Sequence, residues 1–151
     1  MTRDDKAALV QRFVEALNQG RFEDLEAIVA EDYIQHNPFV PQGREGLRAF
    51  FEGSLTAFEE GVGSVQAVLV EGDMIAARLR FEGVHVGDFL GVPATGRRIV
   101  FDTADFFRVE NGMLAEHWDV SDWASVFHQM GVLPPLGPFG AAGPGGGAAE
   151  R

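Results

Sequence analysis

Three residues late in the chain have the types and spacing for proton-transfer chemistry: Asp105, His117 and Asp119. In the stretch from Phe101 to Asp119 they break surfaces that are otherwise apolar. Ile99, Phe101, Phe107 and Val109 alternate with residues of the opposite face, so Thr103 and Asp105 interrupt an apolar face rather than decorate a wet one. Burying a carboxylate costs several kcal/mol unless it is paired or neutralised, so such a group marks a polar pocket. An aspartate in a dry pocket has its pKa raised toward the working pH, which makes it a better acid/base than an exposed one. Asp119 is a candidate acid/base. His117 would orient it or donate to a developing enolate oxygen, and Asp105 would hold His117 in one tautomer. The structural alternatives are a helix cap or ion pair for Asp119, a satisfied buried hydrogen bond for His117, and a plain ion pair for Asp105.

Whether these groups meet depends on the hairpin around Glu110-Asn111-Gly112. A two-residue Asn111-Gly112 turn sets Asp105 opposite Trp118 and sends His117 and Asp119 to the other face. A three-residue Glu110-Asn111-Gly112 loop, with Gly112 left-handed, sets Val109 opposite Met113, Asp105 opposite His117, and Thr103 opposite Asp119. The second is favoured, because Glu110 suits a type I turn better than a strand and Gly112 supplies the positive φ.

A substrate-binding set is expected around this centre. His36, beside Asn37-Pro38, would project into the mouth of a pocket or stabilise a turn. Tyr33 is the only tyrosine, and its phenol suits a substrate oxygen. Arg78 would anchor a carboxylate or carbonyl if its face is the concave one, and is otherwise a solvated charge. Phe51 and Trp118 complete the set. His85 reads as a solvated rim histidine before the Gly/Pro loop from Asp88 to Gly96, a possible lid. The four histidines are dispersed, without the close spacing of many metal sites, so neither a metal nor a cofactor is expected.

Periodicity supplies the elements that must position these groups. Leu9, Val10, Phe13, Val14 and Leu17 mark a helix capped by Thr2 or Asp4 and ended by Gly20. Phe22, Leu25, Ile28 and Val29 mark a short second helix, residues 33 to 41 an irregular segment, and Leu47, Phe50, Phe51, Leu55 and Phe58 a third helix with a Phe-rich face. Strands are expected at about 65–70, 73–82, 84–87, 97–109 and 113–120, with a last helix from Asp122 to Met130. Three helices followed by a meander of strands make no βαβ units, which argues against a parallel sheet. The class is α+β. A curved antiparallel sheet around the helices leaves a Phe-lined funnel, the default ligand site.

Composition narrows the partners. The 151 residues read as one domain, at 1–135, followed by a Gly/Pro/Ala tail at 136–151 expected to be disordered. No membrane span or export signal is read, and the absence of cysteine fits a cytoplasmic address. A net charge of −11 argues against nucleic acid, an anionic membrane or a polyanionic substrate. Thirteen Phe against one Tyr suit either a solid core or a cavity for a flat hydrophobic molecule.

Several motifs, in order, carry a resemblance: Tyr33-Ile34-Gln35-His36-Asn37-Pro38 with Gly43-Arg44-Glu45-Gly46, then Gly83 to Pro93, Thr95-Gly96-Arg97, and Glu116-His117-Trp118-Asp119-Val120. Over about residues 5 to 134 the chain resembles the SnoaL-like polyketide cyclases, of the nuclear transport factor 2-like superfamily. The resemblance implies a cone-shaped, cystatin-like α+β barrel, its curved sheet wrapped around three N-terminal helices. It also implies intramolecular aldol cyclisation of a small hydrophobic carbonyl compound. Asp119 matches the family's acid/base aspartate near the end of the final long strand. Asp105 falls where those cyclases carry a histidine, a departure that His117 could make good.

Other functions share this fold. One alternative is a noncatalytic ligand-binding or dimerisation module using the same funnel. A lesser one is an isomerase, dehydratase or epoxide hydrolase, the last needing Arg78 inside with both aspartates. Phe106, Leu114, Trp118 and Val120 on the reverse face of the hairpin are too apolar to stay wet, so a homodimer through the sheet is expected, as the resemblance also implies.

Overall fold

The computed structural model describes residues 1–134. The expected tail at 136–151 lies outside the described residues. Helix α1 (Arg3–Asn18) is capped by Thr2: the Asp5 N–H donates to its hydroxyl, and the Thr2 N–H donates back to the Asp5 carboxylate. The chain turns at Gly20, at φ +63°, into a 3₁₀ turn (Phe22–Ala27) and then strand β1 (Val29–Gln35).

That strand corrects the expectation of an irregular segment beginning at Tyr33. Its partner is far away in sequence, and Glu31-Asp32 interrupts its apolar run, so local periodicity does not reveal it. Helix α2 (Gly43–Ala57) follows, then β2 (Phe58–Glu71), β3 (Met74–His85), β4 (Arg98–Glu110), β5 (Met113–Ser121) and helix α3 (Trp123–Gln129). The expected short strand at 84–87 is not separate: Val84 and His85 end β3, and Val86 and Gly87 lie beyond it. Asp122 caps α3 by accepting from the Ser125 N–H, which removes the helix-cap reading of Asp119.

The strands form one sheet in the order β1-β5-β4-β3-β2. The meander from β2 to β5 is antiparallel, as expected, but β1 runs parallel to β5, so the sheet is mixed. A parallel pair needs a long crossover, and here α2 and three strands supply it without a βαβ unit. Two register shifts in β2, with Glu60 at φ +52°, bend the sheet toward the helices.

The concave face holds two apolar clusters. In one, Leu9, Val10, Phe13 and Val14 of α1 pack with Ile75, Ala77, Phe107 and Leu114 of the sheet. In the other, Ala57, Phe58, Phe89, Ile99, Val126 and Met130 gather around α3. Each fully buried Val, Leu, Ile, Phe or Met among them contributes about 1.5–3 kcal/mol. The phenylalanines are shared between solid core and cavity wall.

Candidate active site

The β4–β5 hairpin places the acidic groups by a route the sequence did not suggest. Glu110 pairs with Met113 across a two-residue Asn111-Gly112 turn with both central residues at positive φ, +49° and +80°. The three-residue loop is therefore corrected. That turn alone would set Asp105 opposite Trp118, but β5 bulges at Ala115: Val109 pairs with Leu114, and Arg108 already with Glu116. The extra residue restores the lost parity. Phe107 faces His117, Asp105 faces Asp119, and Thr103 faces Ser121. The expected pairings of Asp105 with His117 and of Thr103 with Asp119 are thus each two residues off, which is why the common face of Asp105, His117 and Asp119 still holds.

On that face His117 is buried between the rings of Phe107, at a centroid distance of 4.7 Å, and Tyr33, at 6.3 Å. Its Nε2 lies 2.9 Å from Asp105 Oδ1 and its Nδ1 3.0 Å from Gln35 Oε1. The Thr103 hydroxyl donates to Asp105 Oδ2. Gln35 reaches His117 because β1 pairs Gln35 directly with it, and the Gln42 side chain holds the Gln35 backbone at both N–H and C=O.

Asp119 is held separately. Its Oδ2 accepts from Asn37 Nδ2 at 2.9 Å and from the Ser121 hydroxyl at 2.7 Å, while Oδ1 is buried without a partner. Asn37 Oδ1 accepts from the Phe39 N–H at 2.9 Å, so the orientation of that amide is determined by its own loop. Tyr33 is buried and its hydroxyl also lacks a partner. Burial first, then the nearby carboxyl groups of Asp105 and Asp119, push its phenol well above the ordinary value, so Tyr33 keeps its hydrogen and can offer it in a hydrogen bond.

These residues line one end of a cavity of about 220 Å³ whose remaining wall is largely aromatic, including Phe13, Phe50, Phe51, Phe89, Phe101 and Trp123. A groove of about 380 Å³ near Lys6 and the β4–β5 turn is a poorer candidate, since its charges are already matched by the Lys6–Asp73 and Arg108–Glu110 pairs.

Of the expected residues, the cavity gathers Tyr33, Phe51, Asp105, His117 and Asp119. It does not gather His36, Arg78 or Trp118. His36 stacks on Trp118 at 4.8 Å and bonds to Glu116 at 2.9 Å; this contact and Arg108 hold the Glu116 carboxyl below its usual range. Both lie on the parity opposite Gln35 and His117, the outer face. Arg78 likewise points outward, 3.0 Å from Asp102, so the substrate anchor and the inward arginine needed for epoxide hydrolysis are both corrected. His85 is fully buried rather than on the rim, its Nδ1 3.0 Å from the Thr95 hydroxyl. Gln35, Asn37 and Ser121 were missed. Had Tyr33 to Asn37 been taken as extended, the shared parity of Tyr33, Gln35 and Asn37 would have put all three beside His117.

A curved mixed sheet closed by helices over a polar-ended aromatic cavity defines a nuclear transport factor 2-like α+β protein. More narrowly, the chain belongs to the SnoaL-like polyketide cyclase family, whose profile matches residues 7–130. It is similar to the aklanonic acid methyl ester cyclase of Streptomyces sp. (strain C5), 32% identical over 129 residues, 82% of this chain and 80% of that one. The nogalonic acid methyl ester cyclase of Streptomyces nogalater is 28% identical over 122 residues, 78% of this chain and 91% of that one. The structure of TsrD from Streptomyces laurentii matches with a TM-score of 0.83 at 34% identity, covering 88% of this chain and 99% of that chain. Among the described residues, no helix is long and apolar enough to cross a membrane, and no three His, Cys, Asp or Glu side chains converge as a metal site.

Proposed function

We propose that this protein closes a ring in a small hydrophobic polyketide-type ester by an intramolecular aldol reaction, with Asp119 as the acid/base. The observation that carries the reading is the asymmetry of Asp119 at the cavity: Oδ2 is saturated by two donors and Oδ1 has none. Oδ1 takes the proton from carbon next to a carbonyl, and the electron pair moves onto the carbonyl oxygen. The enolate carbon attacks a second carbonyl of the same molecule, and the proton returns to the new alkoxide. Tyr33 donates to the oxygen that becomes negative. The relatives' names, both methyl ester cyclases, support a neutral ester as substrate.

The test is deuterium uptake from heavy water into an enolisable aromatic keto ester, followed by mass spectrometry. Wild type should catalyse exchange, and Asp119→Asn should lose it by roughly 10²-fold or more. Equal exchange with intact binding would sink the acid/base role and leave a binding module.

We further propose a cytoplasmic homodimer formed through the outer face of β4 and β5, where Phe106 and Val120 are exposed. Leu114 is not part of that face: the two-residue turn sets it opposite Val109, facing inward, where it is fully buried.

A further inference from the structure

Gln35 has a role that follows from hydrogen-bond bookkeeping alone. Its side-chain Oε1 meets two groups, the Asn37 backbone N–H at 2.9 Å and His117 Nδ1 at 3.0 Å. A backbone N–H can only donate, so the Gln35 atom facing it must be the oxygen, and the orientation of the amide is determined. An amide oxygen has no hydrogen to give. His117 Nδ1 must therefore carry one. On the other side of the ring, Nε2 lies 2.9 Å from Asp105 Oδ1, and a contact of that length between two acceptors requires a hydrogen on one of them. Asp105 Oδ2 is already occupied by the Thr103 hydroxyl. An imidazole with hydrogen on Nδ1, a carboxylate and one further proton sum to zero charge.

We propose that Gln35 is a positioning residue that locks His117 with hydrogen on Nδ1, so that Asp105 and His117 hold one proton between them as a neutral pair. Asp119 is then the one net negative group at the polar end of the cavity, although Asp105 stands directly opposite it. The proposal rests on the acid/base reading for its consequence but not for its geometry. Gln42 completes the device by pinning the Gln35 backbone, and the Asn37 that positions Asp119 also supplies the N–H that orients Gln35.

The test is long-range proton–nitrogen correlation NMR on the full chain labelled with nitrogen-15, with His117 assigned by its loss in His117→Gln. Wild type should show His117 Nδ1 in the protonated class across neutral pH. Gln35→Met removes the acceptor and should abolish that signature, and Gln35→Glu, which keeps an oxygen at the same place, should restore it. In the exchange assay Gln35→Met should slow turnover roughly 10-fold or more, the scale for residues acting through another. An unprotonated Nδ1 in wild type overturns the proposal without recourse to any variant, so a Gln35→Met protein that fails to fold does not shelter it. A folded Gln35→Met with an unchanged Nδ1 signal overturns it equally. A protonated Nδ1 together with an active Asp119→Asn would instead sink the function proposed above and leave the positioning intact.

Discussion

Asp105 and Asp119 are direct cross-strand partners on the concave face, yet their carboxylates share no ligand: Asp105 is held by His117 and Thr103, Asp119 by Asn37 and Ser121. Two carboxylates in one cavity with separate partners are suited to separate tasks. One belongs to a neutral pair, and the other keeps a free oxygen.

Breaking the pair from its two ends should have unequal effects on folding. His117→Ala strands the Asp105 carboxylate in a buried site and should destabilise by about 3–5 kcal/mol. Asp105→Asn leaves an amide N–H to meet Nε2, so the loss should be smaller, about 1 kcal/mol. Denaturant midpoints at constant slope give both values, and equal losses would contradict the arrangement.

Tyr33→Phe should separate stability from turnover. The buried hydroxyl has no partner, and an unsatisfied buried group costs about 1–3 kcal/mol, so its removal should leave the protein as stable or more so. Exchange activity should nonetheless fall, by roughly 10²-fold if the phenol stabilises the enolate oxygen. A destabilised, fully active variant would reverse the assignment.

The same residue predicts an alkaline limit. Its folded value lies above the unfolded one, so its contribution to stability is complete below about pH 10 and is lost as pH rises toward the folded value. Because Tyr33 is the sole tyrosine, phenolate absorbance reports on it directly. It should appear together with loss of circular dichroism; ionisation in the folded protein would show that the phenol is not sealed.

Arg78→Ala should change neither turnover nor stability beyond about 0.5 kcal/mol, because the side chain is more than half exposed and Arg80 also bonds to Asp102. A large rise in KM would restore Arg78 to the site.

Val120→Glu places a charge on the exposed face of β5. If that face joins two copies, sedimentation should show twice the 16.4 kDa chain mass for wild type and a single chain for the variant. A wild-type monomer at micromolar concentration would remove the dimer.

Much of this was legible in the residues themselves. The order of α1, α2, the meander and α3 follows from local periodicity and caps, because helix and strand faces repeat over a few residues. The grouping of Asp105, His117 and Asp119 on one face was legible too, since they are polar exceptions on apolar faces. Tertiary structure decided which groups these three meet. Gln35 and Asn37 come to His117 and Asp119 through a parallel pairing between strands far apart in the sequence, which no local pattern records. The one-residue bulge at Ala115, in a strand where neighbouring residues on both sides are buried, determined which residues face each other. His36, Arg78 and Trp118 are chemically apt for a binding site. They lie outside it because alternate residues of a strand point to opposite faces, and parity across a long sheet is determined by every turn and bulge before it.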